Sequence, residues 1–317
     1  MICPSCERFL KGYNTQCSCG YKFIFRAKTE PFNDNKMKKL EIKASAFNTR
    51  YFTKNMLYSV FLKTSAKSLI APIIFVVIFC GIFSAILIGA LSYIGLIIAT
   101  LLFVVAIKLV IKSNKPMSIE DFSDYYRRWV NAKRNNSYLV DKPKLKKPPA
   151  NNQETDIFDY GADRIVVVDD PLFVDCLILN EEHMRSKALI VSQDGYPHYL
   201  KDQFKNLLEQ AENMPVVLLH GTNQNKINMV QAIERNFNVK LADTQVYDLG
   251  YYEEQIKQAK SLYKRMRITK CTVDMLPYPL STQLISKDKS QLQDMLVLGA
   301  AAATASYVSF SLADDFG

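Results

Sequence analysis

The apolar positions of this chain are gathered rather than spread. Residues 69–107 contain no Asp, Glu, Lys, Arg or His. A bilayer core is about 30 Å thick and is crossed by a helix of about 20 apolar residues. At about 1.5 Å per residue the run is too long for one crossing. It predicts two helices, about Ser68–Ile88 and Leu91–Ile111, turning near Gly89, Ser92 and Gly95. Lys36, Lys38, Lys39, Lys43, Arg50, Lys54, Lys63 and Lys67 precede the run; Lys108, Lys112, Lys115, Arg127, Arg128, Lys133 and Arg134 follow it. Basic flanks mark the cytoplasmic side of membrane helices. The expectation is a multi-domain membrane protein with a transmembrane helical hairpin over 68–111 and both soluble parts on the cytoplasmic face, with a bacterial inner membrane as its location. The bilayer, and anionic lipid at the basic flanks, are then its first partners. Gly81, Ser84, Ala85 and Gly89 put small residues along one helix, as in close helix packing, and allow a homo-oligomer.

The rest of the chain carries other periods. A basic juxtamembrane region over 27–67 predicts a helix about Met37–Leu62. A region over 112–155 predicts a helix about Ser118–Asn135 and then a Pro/Lys linker, Lys142-Pro143-Lys144-Leu145-Lys146-Lys147-Pro148-Pro149-Ala150-Asn151-Asn152. Over 156–270 short continuous apolar runs alternate with amphipathic stretches. Strands are predicted at Arg164–Asp169, Ala188–Ser192, Val216–Leu219 and near Gln245–Tyr247. Helices are predicted at about Leu172–Met184, Tyr199–Glu212, Ile227–Phe237 and Glu253–Arg265. Strands apolar on both faces, joined by crossover helices, make a mostly parallel four-stranded α/β sheet. The tail, 271–317, contains the uncharged stretch Met295–Leu312, read as an apolar helix.

The formal net charge of +9 adds nucleic acid to the candidate partners. The chain opens on Met1 and a cysteine pair rather than on a secretory leader, and its seven cysteines do not form a disulfide framework, which points to a reducing compartment.

Four of those cysteines lie in residues 1–26, as Cys3-x2-Cys6 and Cys17-x-Cys19. Two tight turns each supplying two thiolates suit a tetrahedral structural zinc, and four protein ligands leave no open position for catalysis. Gly20 follows the second pair, where a turn can require positive φ. With Phe9, Leu10, Tyr13, Tyr21, Phe23 and Phe25 around the pairs, the segment resembles a zinc ribbon, a small β module folded around its metal. It has one residue inside the second pair where the commoner pattern has two.

In a parallel α/β sheet, ligands sit at the C-terminal strand ends. Those ends offer Asp169-Asp170, Ser192-Gln193-Asp194-Gly195 and His220-Gly221-Thr222. Asp170-Pro171-Leu172 lacks the glycines and lysine of a phosphate loop. Ile165-Val166-Val167-Val168-Asp169, Asp194-Gly195-Tyr196-Pro197, Val216-Val217-Leu218-Leu219 and Val246-Tyr247-Asp248-Leu249-Gly250, in that order, resemble the toprim domain of type IIB topoisomerase A subunits over 164–251. That family holds magnesium with a glutamate after the first strand and an Asp-x-Asp pair after the third. Here Asp169 takes the first place and His220-Gly221-Thr222 the second, so the resemblance implies the fold, Rossmann-like in its layers, with a degenerate metal motif and without Mg2+. Asp169, Asp170 and His220 remain the weak catalytic candidates, and Asp169 with His220 could form an acid–base pair.

The function expected is a membrane-tethered, non-enzymatic sensor or scaffold, in a defence or stress system, that binds nucleic acid, nucleotide or a protein partner. The alternative is a divergent metal-dependent nuclease or phosphodiesterase on the same fold.

Overall fold

The structure, a computed structural model, describes residues 2–10, 15–26, 30–65, 117–133, 137–147, 161–210, 214–250, 252, 271–275 and 285–286. The N-terminal segment makes isolated antiparallel bridges at Ile2–Phe9 and Gln16–Lys22. Helix α1 (Asp34–Ala44) starts where the Asn33 side chain accepts the Lys36 backbone N–H, with Asp34 in its first turn and Lys43 in its last. Strand β1 (Phe52–Thr53) leads into helix α2, residues 54–65. Helix α3 (Ile119–Lys133) buries Phe122, Tyr126 and Trp129 along one face. Strand β2 (Leu139–Val140) pairs in parallel with β1.

The expected single helix over Met37–Leu62 is broken. Ala46, Phe47 and Asn48 all take left-handed backbone, at φ 45°, 62° and 63°. Each such non-glycine residue costs roughly 1–2 kcal/mol. The turn is held by Asn48 N–H donating to the Ser45 hydroxyl, the Thr49 hydroxyl donating to Ala46 O, and Phe47 N–H donating to Ile42 O.

Strands β3 (Arg164–Val168), β4 (Ala188–Ser192), β5 (Val216–Leu219) and β6 (Val246–Asp248) form one sheet in the order β4-β3-β5-β6, every pair parallel. The continuous apolar runs are there because both faces are covered. Val166, Val168, Ile190, Val217 and Leu219 face helix α4 (Pro171–Leu179) through Phe173 and Leu177. Ile165, Val167, Leu189, Val191 and Leu218 face helices α6 (Lys201–Gln210) and α7 (Lys226–Phe237) through Phe204, Met229 and Ile233. Helix α5 (Glu182–Ser186) follows a break at Glu181, whose φ is 60°, where one helix over Leu172–Met184 was expected.

The apolar cluster on the α4 face does not stop at the domain. It continues through Phe52, Leu57, Phe61, Phe122 and Trp129 to Phe32 and Phe25 beside the cysteines. The start of the Pro/Lys linker joins it: Lys144 N–H donates to Asp175, Leu145 N–H to the Tyr196 hydroxyl, and Leu145 is buried.

The membrane expectation is corrected. Among the described residues no helix is long and apolar enough to cross a membrane, so neither a membrane protein nor a bacterial inner-membrane location is supported. The longest named helix, α3, has 15 residues and carries Glu120, Asp121, Arg127 and Arg128, too short and too charged for a bilayer core of about 30 Å. Several cations read as flank anchors are engaged within the fold. Lys36 Nζ lies over the Phe32 and Phe61 rings, Lys133 Nζ lies 4.0 Å from the Tyr21 ring centroid, and Arg128 pairs with Glu30. The hairpin over 68–111, the helix over Glu253–Arg265 and the stretch Met295–Leu312 lie outside the described residues.

Candidate functional site

The first candidate is the cysteine cluster. Two short knuckles bring Cys3, Cys6, Cys17 and Cys19 together, with all four Sγ atoms within 4.8 Å of one another. Cys3 Sγ is 3.6 Å from Cys19 Sγ, and Cys6 Sγ is 3.7 Å from Cys17 Sγ. Four sulfurs around an ion at about 2.3 Å in a tetrahedron stand roughly 3.8 Å apart, so the spacing fits one shared ion. None is disulfide-bonded. Backbone shape serves the same end: Gly20 takes the expected positive φ of 87° in the second knuckle, and Glu7 takes φ 57° beside the first. The Cys17 thiol is pulled down to about 6, first by the Cys19 backbone N–H. At Cys6 the Arg8 backbone N–H works downward, but the neighbouring thiols outweigh it and push the pKa up to about 11. Four thiols this close cannot all ionise without a cation between them, and the cluster is one that could hold a metal ion. Among the described residues this is the only group of three or more His, Cys, Asp or Glu able to hold a metal ion.

The module is bound to the helices. The buried Asp34 carboxylate accepts the Tyr21 hydroxyl and the Ile24 and Phe25 backbone N–H groups, and Lys38 Nζ donates to Pro4 O.

The second candidate lies at the C-terminal edge of the sheet. From β3 the chain goes through α4 to β4 on one side; from β5 it goes through α7 to β6 on the other. The ends of β3 and β5 are therefore the topological switch point, where open α/β sheets take ligands. Val168 is in register with both Ser192 and Leu219, so the next row sets Gln193, Asp169 and His220 side by side. The structure thus brings Asp169 and His220 together, with Asp170 beside them capping α4 through the Leu172 N–H.

Their hydrogen bonds give them separate roles. Asp169 Oδ2 accepts the Gly221 N–H at 2.7 Å; its Oδ1 is buried with no hydrogen-bond partner among the described residues, and so is Gln193 Oε1. His220 is fully buried. Its Nδ1 is 2.8 Å from Gly221 O, and a carbonyl only accepts, so Nδ1 carries a proton. Its Nε2 is 3.1 Å from Asp248 Oδ1. With the ring protonated, the contact is an ion pair. Burial works against the charged imidazole, but Asp248 and Gly221 O together raise its pKa. Burial raises Asp248 as well, and His220 and the Tyr252 hydroxyl outweigh it and lower the carboxyl. Asp248 and Gly250 were not singled out as site residues by the sequence; only the ring packed on Gly250 reveals them. An added Cβ at Gly250 would lie 2.1 Å from His220 Nε2.

So His220 is spoken for by Asp248, and Asp169 and His220 do not form a free acid–base pair. Burial pushes Asp169 up to about 7 and Asp170 up to about 6, with Asp274 adding repulsion to both. Asp274 falls in the stretch read as tail. It is fully buried, accepting the Thr53 hydroxyl at 2.6 Å and the Asn55 amide at 3.1 Å. His183 is buried, which lowers its pKa to about 4.

One consequence is testable. A carboxyl whose folded pKa lies above its unfolded value opposes folding once pH rises above about 4, fully so above the folded pKa. Asp169→Asn keeps an acceptor for Gly221 and removes that charge. It is expected to raise stability by up to about 4 kcal/mol at pH 8 and to leave it unchanged at pH 4. Urea unfolding at both pH values measures this, and an equal shift at both would refute the buried-charge explanation.

No family model, no curated protein and no solved structure matches this chain. The cysteine cluster is compatible with a zinc ribbon, whereas the toprim resemblance has no family match behind it.

Proposed function

We propose that this chain is a non-catalytic recognition protein, in which zinc holds the N-terminal module and the α/β domain takes a nucleoside-like ligand at the ends of β3 and β5. The observation that carries the reading is the pair of buried acceptors, Asp169 Oδ1 and Gln193 Oε1, side by side at the ends of neighbouring strands and both without a partner among the described residues. Buried polar atoms are almost always hydrogen-bonded. Two waiting acceptors suit a ligand rich in O–H or N–H donors, such as ribose hydroxyls or a base amino group. Phosphate is not what this edge grips: Asp170 occupies the N-cap of α4, and Pro171 has no N–H to offer. Both acceptors are closed off from solvent, so binding is accompanied by local opening of the sheet edge.

Zinc is assigned to the cysteines because four thiolates at tetrahedral spacing are the donor set it prefers. Support for binding over hydrolysis comes from the carboxylates. Asp169, Asp170 and Asp248 do not converge closely enough to hold a divalent metal, and Mg2+ chemistry needs hard oxygen ligands in octahedral array.

The test is calorimetric titration of the full chain with a panel of nucleosides and nucleotides, alongside incubation with DNA and Mg2+ or Mn2+. Saturable binding weakened at least tenfold by Gln193→Leu or Asp169→Asn is expected. Metal-dependent cleavage lost in Asp169→Ala would overturn the non-catalytic reading.

A further inference from the structure

We propose that the lysine face of α1, with Phe47 at its end, is a binding surface for single-stranded nucleic acid. The surface is separate from the switch point and does not depend on the ligand proposed there. Lys36, Lys39 and Lys43 stand three and four residues apart and so share one side of the helix. They line an open groove of about 310 Å³, with Asn33 at one end and Thr64 of α2 across from them.

Among the described residues no acid pairs with Lys39 or Lys43. The acids of α1 are both used elsewhere: Asp34 is buried against the Tyr21 hydroxyl and the Ile24 and Phe25 N–H groups, and Glu41 accepts the Tyr126 hydroxyl. Lys38 is also taken, by Pro4 O. Lys39 and Lys43 are exposed, and no ion pair involves either of them among the described residues. Lys36 is half-buried over Phe32 and Phe61, so it roofs the groove and adds charge to it without reaching far into solvent.

Phe47 supplies the second half of the argument. It is 79 % exposed, on the turn directly after α1, and it is the middle of the three left-handed residues. A strained turn fixed by several hydrogen bonds is a poor way to discard a side chain and a good way to present one. A row of cations ending in a presented aromatic ring is what a single strand requires: phosphates along the lysines, an unpaired base on the ring. A duplex would use the cations and leave the ring without a role, whereas an anionic lipid surface could bury the ring and is separated by the vesicle arm of the test.

Fluorescence anisotropy of the full chain with a labelled oligothymidine, over a range of salt, tests this. Lys39→Glu/Lys43→Glu is expected to weaken binding by more than tenfold and to reduce the salt slope by about 1.4, at about 0.7 per phosphate contact. Phe47→Ala should weaken the single strand about five- to tenfold and leave a duplex of equal length unaffected. All three residues are exposed, so the variants should melt with the parent by circular dichroism, which separates lost binding from lost fold. No binding at low salt, binding indifferent to the double variant, or equal loss on single strand and duplex in Phe47→Ala would each overturn the assignment. So would phosphatidylserine vesicles that bind through the same lysines while the oligonucleotide does not.

Discussion

Asp248→Ala is expected to destabilise the α/β domain by about 1–3 kcal/mol, because it leaves His220, the Gly250 N–H and the Tyr252 hydroxyl without their shared acceptor. Among the described residues Asp248 is the one carboxylate paired with His220, with Asp169 adding a weaker attraction: the imidazole Nδ1 is committed to Gly221 O, and its Nε2 faces Asp248 Oδ1 at 3.1 Å. Asp248 is itself tied down, accepting the Gly250 N–H at 2.9 Å and the Tyr252 hydroxyl. The penalty should depend on pH in a definite direction. His220 has a folded pKa above its unfolded value, so its contribution is fully present below about 6.5 and is lost as pH rises through the folded value. Asp248 has a folded pKa below its unfolded value, so its contribution is present above about 4 and is lost as pH falls through the folded value. The pair is therefore strongest between those limits, and Asp248→Ala should cost more at pH 6 than at pH 9. Urea unfolding followed by circular dichroism measures both. A cost that is small and the same at both pH values would mean the imidazole is neutral. Gly250→Ala should disrupt the same pair by a different route, because its Cβ would sit 2.1–2.3 Å from three atoms of the ring. Overpacking of that kind typically costs 1–3 kcal/mol.

That network also shows where sequence reasoning stops. The strands were legible because each is a short apolar run buried on both faces, and β3, β4 and β5 lie where the runs predict them. Helix α3 was legible from its period and its charge order. The cysteine spacing was legible because a knuckle is local. What was not legible is what depends on distant partners. Asp274 meets Thr53 across 221 residues of sequence, and nothing around it marks it as buried. The turn at Ala46–Asn48 contains no glycine, so the apolar period ran on through it and gave one helix instead of two. The basic flanks misled for a related reason. Hydropathy counts charges but not their contacts, and Lys36, Arg128 and Lys133 are engaged with rings and carboxylates of the fold.

Removing the metal is expected to have the widest effect of any perturbation, because the cysteine module closes one end of a continuous core. Phe25 lies eight residues after Cys17 and packs on Phe32, Tyr125 and Trp129, its ring stacked on the indole at 9° and 6.0 Å. Asp34 fixes residues 24 and 25 through their N–H groups, and Lys133 covers Tyr21 and Trp129. Without a cation the four sulfurs repel as they ionise, the knuckles open, and Phe25 loses its support. Structural zinc sites contribute about 10–16 kcal/mol in small zinc modules; a module already packed on α1 and α3 retains part of its order without metal, so the loss here should be several kcal/mol. The chain contains a single tryptophan, and Trp129 is buried in that contact. Its emission should therefore shift to the red when a chelator strips the metal, or in Cys3→Ser, and return on adding Zn2+ to the stripped wild type. The sheet is held by its own two apolar faces, so Asp248→Ala should leave the emission unchanged while lowering the melting temperature. If metal analysis confirms removal and the tryptophan spectrum does not move, the cysteines are not what holds the N-terminal end of the core.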